Sequence, residues 1–345
     1  MNKPKFKILS IDGGGIRGIL PCSILAFIEE QTGSPISEIF DLIVGTSTGG
    51  IIALGLSLAD SEERNAYSAD DMRELYVKNG NTIFAKRQKD FLSRIGSFSA
   101  LTKTLTAKPY DEESFEKLLD QYFGESRLKP LLTDVLVTSY EIEKGKPFYF
   151  SSRLAEKDQN ENYQLKQVAR STSAAPTYFE PSVVEYNEKE KLALVDGGVF
   201  ANNPSILAYS EAKELWKDRT SKAFEAKVLA DDHDLPFYLL SLGTGSSSNS
   251  IPVDKAEEWR AANWAGQLTD IFMRSVEEST DYTMKHLLPP YKDGSLRYQR
   301  LNMKIPEKNK EMDNASKQNI AQLCELADDF VQKNESILLK ICEGL

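Results

Sequence analysis

The chain has 345 residues, of which 41% are hydrophobic and 27% are charged, so it can bury a core and is not of the disordered class. A formal charge of −10 argues against a protein that coats nucleic acid, and it leaves any contact with an anionic membrane to a local basic patch. Three cysteines without metal-ligand spacing indicate a reducing compartment. Only two histidines are present, which nearly excludes a multi-histidine zinc site. No signal peptide is evident, and we expect a cytoplasmic protein without a metal or cofactor.

The first predicted elements alternate between strands and helices. Residues 6–11 are predicted to form a buried strand, and residues 18–30 a helix that follows a row of glycines. Residues 40–44 are predicted to be the second strand and 49–59 the second helix, again with a glycine turn between them. This repeated order is typical of a parallel sheet covered by helices.

The later elements continue to the end of the chain. Helices are predicted over residues 70–78, 111–123, 163–170, 203–216 and most of 256–345, and strands over 132–140, 146–151, 191–195, 236–242 and 296–305. The sequence therefore predicts an α/β protein without internal repeats.

The strongest local signal is Gly45-Thr46-Ser47-Thr48-Gly49, a G-x-S-x-G pattern between a predicted strand and a predicted helix. A serine in such a turn exposes its hydroxyl, and Gly45 and Gly49 avoid collisions in so sharp a bend. The N-terminus of the following helix favours negative charge that develops nearby. Ser47 is therefore a candidate nucleophile, and the alternative is a glycine-rich turn with an incidental serine.

A second signal is the glycine row in residues 12–18, Asp-Gly-Gly-Gly-Ile-Arg-Gly, where backbone amides can approach a ligand oxygen closely. The glycine spacing matches a dinucleotide fingerprint, but the second strand lacks the acidic residue that such a site needs at its end. The later glycine turn lacks the lysine of a P-loop. The remaining interpretation is an oxyanion hole, in which Arg17 either adds charge or, as we favour, pins the loop.

A serine nucleophile needs a base, and three residues are candidates. Asp196 follows a predicted strand and precedes Gly197-Gly198, where a partly buried carboxylate with raised proton affinity can act as a base. His233 lies in a highly charged stretch, but it follows Ser47 and Asp196 in the chain order of an α/β-hydrolase triad. His286 lies late in the chain, in a predicted helix.

Three motifs together resemble those of the patatin-like phospholipases. They are residues 10–18, the turn at residues 45–50 and Asp196-Gly197-Gly198, and the phrases at 173–179 and 199–204 agree with them. The resemblance covers roughly residues 6–210. It implies a three-layer α/β/α sandwich with a mostly parallel central sheet. It also implies a catalytic core over 6–210 with an inserted segment at about 61–110, and an extension over 211–345 that completes the sheet and adds helices.

The resemblance further implies lipid acyl hydrolysis through an acyl-serine intermediate, without calcium. Ser47 would be the nucleophile and Asp196 its base in a Ser–Asp dyad. Gly13, Gly14 and Gly15 would supply the oxyanion hole, and Arg17 would fix that loop. Two other classes compete with this interpretation, a Ser-His-Asp carboxylesterase of the α/β-hydrolase type and a catalytically silent binding or storage protein.

Residues 81–110, the basic segment, contain six basic residues and one acidic residue. Apolar residues within it, including Phe91 and Ile95, follow helical spacing, and an apolar stripe beside basic charge suits an interfacial element. We therefore expect peripheral contact with membrane phospholipid at the inner face of the membrane through Phe91 and Ile95. The alternative is a cap that packs its apolar side on the core.

Bacterial patatin-like enzymes of this size include anti-phage effectors that attack membranes and are activated by cyclic nucleotides. The resemblance therefore suggests a cyclic di- or trinucleotide as an activator and a homo-oligomer as the assembly, although no motif marks a nucleotide pocket. A nucleic-acid polymer is not expected as a partner.

Overall fold

The structure is a computed structural model that describes residues 6–86, 110–187, 190–219, 236–247 and 251–345. Its centre is a sheet of eight strands. The strands are β1 (Phe6–Ile11), β2 (Leu42–Thr46), β3 (Asp134–Glu141), β4 (Lys146–Ser151), β5 (Ser182–Asn187), β6 (Glu190–Asp196), β7 (Phe237–Leu242) and β8 (Tyr298–Leu301). They pair in the order β5-β6-β3-β2-β1-β7-β8, and β4 pairs with β3 outside this order.

The middle of the sheet is parallel. β1 pairs in parallel with β2 and β7, β2 with β3, and β7 with β8. β4 and β6 pair antiparallel with β3, and β5 pairs antiparallel with β6. The predicted α/β class with a mostly parallel central sheet is confirmed.

Helices cover the sheet. They are α1 (Ile19–Thr32), α2 (Ile36–Ile39), α3 (Thr48–Ser57), α4 (Ala69–Ile83), α5 (Glu112–Phe123), α6 (Ser152–Lys157), α7 (Leu165–Thr172), α8 (Gly198–Ala201), α9 (Ser205–Arg219), α10 (Val253–Glu257), α11 (Ala261–Leu287), α12 (Lys317–Lys333) and α13 (Glu335–Gly344). None of these described helices combines the length and the apolar character needed to cross a membrane.

Different helices pack against the two faces of the sheet, as the side chains of β1 show. Phe6 and Ile8 point into a cluster with apolar residues of α9 and α11, whereas Leu9 and Ile11 point into a larger cluster with residues of α1, α3 and α4. Residues on both faces of a parallel strand are buried, which explains why β1 reads as an almost continuous apolar run. The predicted three-layer α/β/α arrangement is confirmed.

The start of the predicted inserted segment belongs to the packed body of the protein. Ser68 caps α4 in a reciprocal arrangement with Asp71. Met72, Leu75 and Tyr76 of α4 are buried in the larger core cluster. Residues 87–109, which include Phe91 and Ile95, lie outside the described residues.

Candidate active site

Ser47 lies in the turn between β2 and α3. Its backbone has φ 55° and ψ −121°, a strained conformation expected of a nucleophile at a strand-to-helix turn. A Cβ atom at Gly45 would lie 2.1 Å from the carbonyl oxygen of Gly49, and a Cβ atom at Gly49 would lie 2.2 Å from that of Ile11. The turn therefore needs both glycines, and it holds a half-buried Ser47 at the N-terminus of α3.

Hydroxyl groups on neighbouring elements hold this turn in place. The Ser47 N–H donates to Thr172 Oγ1 at 2.8 Å, and the Thr172 hydroxyl donates to the carbonyl of Thr138 at 2.7 Å. The Thr46 hydroxyl donates to the carbonyl of Ala201 at 2.7 Å and lies 2.7 Å from the Thr138 hydroxyl. These bonds join β2, β3, α7 and α8 around Ser47.

The pairing register of β3 brings the ends of β2 and β6 together. Thr46, the last residue of β2, pairs with Thr138, and Asp196, the last residue of β6, pairs with Ser139. Because β4 occupies the opposite edge of β3 over residues 136–141, β2 and β6 share one edge and run towards each other. The serine and the carboxylate therefore meet, although they are far apart in the sequence.

Asp196 is buried, and the Ser47 hydroxyl lies close enough to its carboxylate to influence its pKa. The Gly198 N–H donates to Asp196 Oδ1 at 2.7 Å. Burial raises the pKa of Asp196 to about 6, and interactions with the Ser47 hydroxyl and the Gly198 N–H limit that rise. A carboxylate with this pKa is ionised at neutral pH and can accept a proton from the serine.

The glycine row lies beside the nucleophile. It connects β1 to a short 3₁₀ turn, Gly15–Gly18, that leads into α1. A Cβ atom at Gly13 would lie 3.3 Å from the Cβ of Ser47, which shows how closely the loop approaches the serine. Gly15 has φ 57°, and a Cβ atom there would lie 2.2 Å from the carbonyl oxygen of Met312. A side chain at either position would disturb this packing.

Residues 13–17 are called the oxyanion loop below. Some of its backbone N–H groups donate hydrogen bonds to other backbone carbonyls of the described residues, and others do not. The Gly13 N–H donates to the Asn202 carbonyl at 3.0 Å, and the Ile16 N–H donates to the Met312 carbonyl at 2.8 Å. The Arg17 N–H donates to the Gly14 carbonyl at 3.2 Å. Within the described residues, no backbone acceptor is recorded for the amides of Gly14 and Gly15. The amide of Gly13 is therefore engaged within the fold, and the oxyanion role of Gly13, Gly14 and Gly15 stays a prediction.

Comparison with known proteins identifies the family. The sequence model described as patatin-like phospholipase matches residues 9–209, more than half of the chain. The chain belongs to the patatin-like phospholipase family. It is 31% identical over 293 residues to patatin-like protein 2 of Arabidopsis thaliana, an alignment that covers 80% of this chain and 70% of that protein. It is 29% identical over 349 residues to patatin-T5 of Solanum tuberosum, covering 95% and 84%.

A third relative is patatin-like protein 2 of Oryza sativa subsp. indica, which is 27% identical over 357 residues and covers 95% of this chain and 84% of that protein. Membership in the patatin-like phospholipase family assigns lipid acyl hydrolase activity in general terms. The family resemblance predicted from the motifs is thereby confirmed.

Arg17 of this patatin-like phospholipase holds the oxyanion loop against a later part of the chain. Its Nη1 donates to the Lys310 carbonyl at 3.1 Å. Lys310 and Met312 thus form a strap that contacts the loop through backbone carbonyls. This contact favours the pinning role predicted for Arg17 over a purely electrostatic one.

Of the two histidines, His286 alone lies among the residues that the structure describes. His286 is exposed on α11, where its Nδ1 lies 2.8 Å from the carbonyl of Tyr282 in the preceding turn. His233 lies outside the described residues.

Sequence reasoning missed the residues that support the loop from outside the motifs. Asp12 is buried and forms a bidentate ion pair with Arg300 on β8, through Nη1–Oδ1 at 3.2 Å and Nη2–Oδ2 at 2.6 Å. The Thr244 hydroxyl donates to the Gly13 carbonyl at 2.6 Å. The only available signal was the presence of polar residues in the otherwise strand-like stretch 296–305.

Proposed function

We propose that this patatin-like phospholipase hydrolyses acyl ester bonds of membrane phospholipids, with Ser47 as the nucleophile and Asp196 as the general base. The observation that carries the proposal is the meeting of the ends of β2 and β6, which brings the Ser47 hydroxyl close enough to the buried carboxylate of Asp196 to lower its pKa. The strained turn that presents the serine and the nearby oxyanion loop support it.

In the acylation step, the Asp196 carboxylate takes the proton of Ser47 as Oγ attacks the ester carbonyl carbon. The carbonyl oxygen becomes an oxyanion, which we place against the amides of Gly14 and Gly15 and near the N-terminus of α3. When the intermediate collapses, the lysophospholipid alkoxide leaves and takes the proton from Asp196. An acyl ester on Ser47 remains.

In the deacylation step, Asp196 takes a proton from a water molecule as that water attacks the acyl-serine. The second tetrahedral intermediate uses the same two amides. Its collapse breaks the bond to Ser47 Oγ, which recovers the proton, and releases a fatty acid. The dyad returns to its starting state without any group beyond the chain's own residues and water.

The direct test is a lipidomic comparison of products. The wild-type protein and Ser47→Ala are incubated separately with vesicles of phosphatidylethanolamine and phosphatidylglycerol. We expect fatty acid and lysophospholipid from the wild type alone. A wild-type protein that releases neither product, or a Ser47→Ala variant that releases both at the wild-type rate, would contradict the proposal.

A second comparison separates the Ser–Asp dyad from a Ser-His-Asp triad. Replacing both His233 and His286 by Ala should leave hydrolysis of a short-chain ester close to the wild-type rate, since no imidazole takes part in the proposed mechanism. A loss of about a hundredfold or more in this double variant would favour the triad.

Contact of Phe91 and Ile95 with the membrane stays a prediction, and so does activation by a cyclic di- or trinucleotide. Replacing Phe91 and Ile95 by Ser should abolish binding to vesicles and spare hydrolysis of a soluble ester. Repeating the lipidomic assay with cyclic dinucleotides tests activation, and unchanged product yields would count against it.

A further inference from the structure

A buried ion pair lies directly beneath the oxyanion loop. Asp12, the residue before the loop, is 1% exposed, and the side chain of its partner Arg300 is 9% exposed. The pair is bidentate, because Nη1 of Arg300 donates to Oδ1 of Asp12 and Nη2 donates to Oδ2. Removing two charges from water is expensive, and a buried ion pair often stabilises a fold no better than apolar residues of similar volume. This pair is therefore weak as a source of stability.

Arg300 also connects Asp12 to three other elements. Its Nη1 donates to the Ser241 hydroxyl of β7 at 2.7 Å, and its Nη2 donates to Glu277 of α11 at 2.6 Å. Glu277 accepts a second bond, from the amide of Asn302 at 2.7 Å. The start of the oxyanion loop is thus bonded, through one guanidinium, to β7, β8 and α11.

The rest of the loop has separate anchors. Thr244 holds the carbonyl of Gly13, and the strap holds Ile16 and Arg17. Asp12 is the point from which the loop leaves β1, so its orientation sets the direction of the amides that follow. Misplacement of catalytic groups by about 1 Å can reduce a rate about a hundredfold.

Charge gives Arg300 a second effect on the same loop. An uncompensated carboxylate next to the loop would oppose an oxyanion bound by the amides of Gly14 and Gly15. The guanidinium of Arg300 lies 2.6 Å from both Asp12 and Glu277, so its single positive charge offsets part of the negative charge beside the loop. We therefore expect both the hydrogen bonds of Arg300 and its positive charge to help the loop stabilise an oxyanion.

We infer that Arg300 is a positioning residue, which acts through Asp12 to hold the oxyanion loop in the conformation that stabilises the tetrahedral intermediates. The inference rests on the proposed function. It gives β8 a contribution to catalysis. This strand lies outside residues 9–209, the part of the chain that matches the family's sequence model.

The test compares Arg300→Met and Arg300→Lys with the wild type. We expect kcat on a short-chain ester to fall about a hundredfold in Arg300→Met, with KM within about twofold of the wild type. Affinity for an alkyl trifluoromethyl ketone should fall in parallel with kcat, because this inhibitor forms a tetrahedral adduct on Ser47 whose oxyanion needs the loop. Lys keeps the charge without the bidentate bond, so Arg300→Lys should lie between the two.

A matched control is Arg153→Met. Arg153 forms an equally bidentate and largely buried pair with Glu211, at 2.8 Å and 2.9 Å, and its Nη1 lies 3.9 Å from Asp218. This variant should lose stability and retain the wild-type kcat and inhibitor affinity. A similar fall of kcat in Arg153→Met would show that Arg300 acts only through stability, and an unchanged inhibitor affinity in Arg300→Met would overturn the inference.

Two further measurements keep the inference open to refutation. If Arg300→Met does not fold, Arg300→Lys and Asp12→Asn are compared with the wild type instead. Wild-type kcat and inhibitor affinity in both variants would refute the role inferred for Arg300. In a folded set, the double variant Asp12→Asn/Arg300→Met should lose no more activity than the worse single variant. A wild-type protein without esterase or phospholipase activity would instead refute the proposed function.

Discussion

At the residue scale, the carboxylate of Asp196 is subject to two opposing influences. Burial raises its pKa, whereas interactions with the Ser47 hydroxyl and the Gly198 N–H lower it. The resulting pKa of about 6 keeps the group ionised at neutral pH and close enough to neutrality to accept a proton. An ionised carboxylate in this position destabilises the fold, because the unfolded chain ionises it more easily.

Replacing Asp196 by Asn should therefore stabilise the protein at about pH 8. The folded pKa of about 6 lies above the ordinary value of 3.8, so the folded state binds the proton more tightly and loses stability as the pH rises from 3.8 to 6. The shift corresponds to roughly 3 kcal/mol in the free energy of unfolding. The advantage of Asp196→Asn should shrink as the pH falls towards about 4, which urea unfolding at both pH values would measure.

Asp218→Asn provides a control of opposite sign. The hydrogen bond from Lys157 lowers the pKa of Asp218, an exposed carboxyl, so this substitution should not stabilise the fold. An Asp196→Asn protein that is less stable than the wild type at about pH 8 would contradict the assignment of Asp196 as a destabilising buried carboxylate.

At the element scale, the connection from β1 to α1 depends on the strap at Lys310 and Met312. Gly15 has positive φ, and its Cα lies against the carbonyl of Met312. Gly33, which ends α1, also has positive φ, at 67°, but nothing lies within 4 Å of the position that a Cβ atom would occupy. Both glycines therefore need a left-handed backbone conformation, but only Gly15 is packed against another part of the chain.

Gly15→Ala should therefore reduce kcat about tenfold or more, since the new methyl group must displace either the strap or the loop. Gly33→Ala should retain the wild-type kcat and lose about 1 kcal/mol of stability from backbone strain alone. Steady-state kinetics on a short-chain ester and urea unfolding of both variants measure this difference. Equal kcat values for the two variants would show that the loop tolerates the collision.

The local elements of the site could be predicted from the sequence, but the meeting of its residues could not. The strand, turn and helix around Ser47 follow from neighbouring residues, because apolar runs and glycines act locally. The approach of Asp196 to Ser47 depends instead on the register of β2 and β6 along β3. Register between distant strands leaves no pattern in a single sequence, so the pairing was inferred from the family resemblance.

Two other features had weak sequence signals. β5 was not predicted, because it is an edge strand in which Val183 is 64% exposed and Val184 is buried, so the apolar pattern is short and mixed. Arg300 and Asn302 lie two residues apart near the end of β8 and extend one network towards Asp12 and Glu277. Their role depends on where the strand lies in the sheet, which the sequence does not encode locally.

At the scale of the whole molecule, the residues that support the candidate active site extend beyond residues 9–209. β7 pairs with β1 and also with β8, so both strands belong to the same sheet as β2, the strand that leads to Ser47. Arg300, Lys310 and Met312 all contact residues 12–17. α12 and α13 bury Leu323 and Leu338 in the larger core cluster.

A chain that ends at residue 247 should therefore be insoluble or inactive, even though it retains every residue of the three motifs. Its β7 would have an unpaired edge, and Asp12 would be a buried carboxylate without its partner. Soluble yield, circular dichroism and turnover of a short-chain ester measure the effect. A soluble truncated protein with the wild-type kcat would contradict the role given to the C-terminal region.

The most direct test of the Ser–Asp dyad is the kcat of Asp196→Asn on a short-chain ester, measured beside Ser47→Ala. Asn preserves the shape of the side chain and its Oδ1 acceptor but cannot take the serine proton. We expect kcat to fall about a thousandfold or more, close to the level of Ser47→Ala, in a protein that remains folded. A folded Asp196→Asn protein with kcat within about tenfold of the wild type would contradict a dyad in which Asp196 is the base.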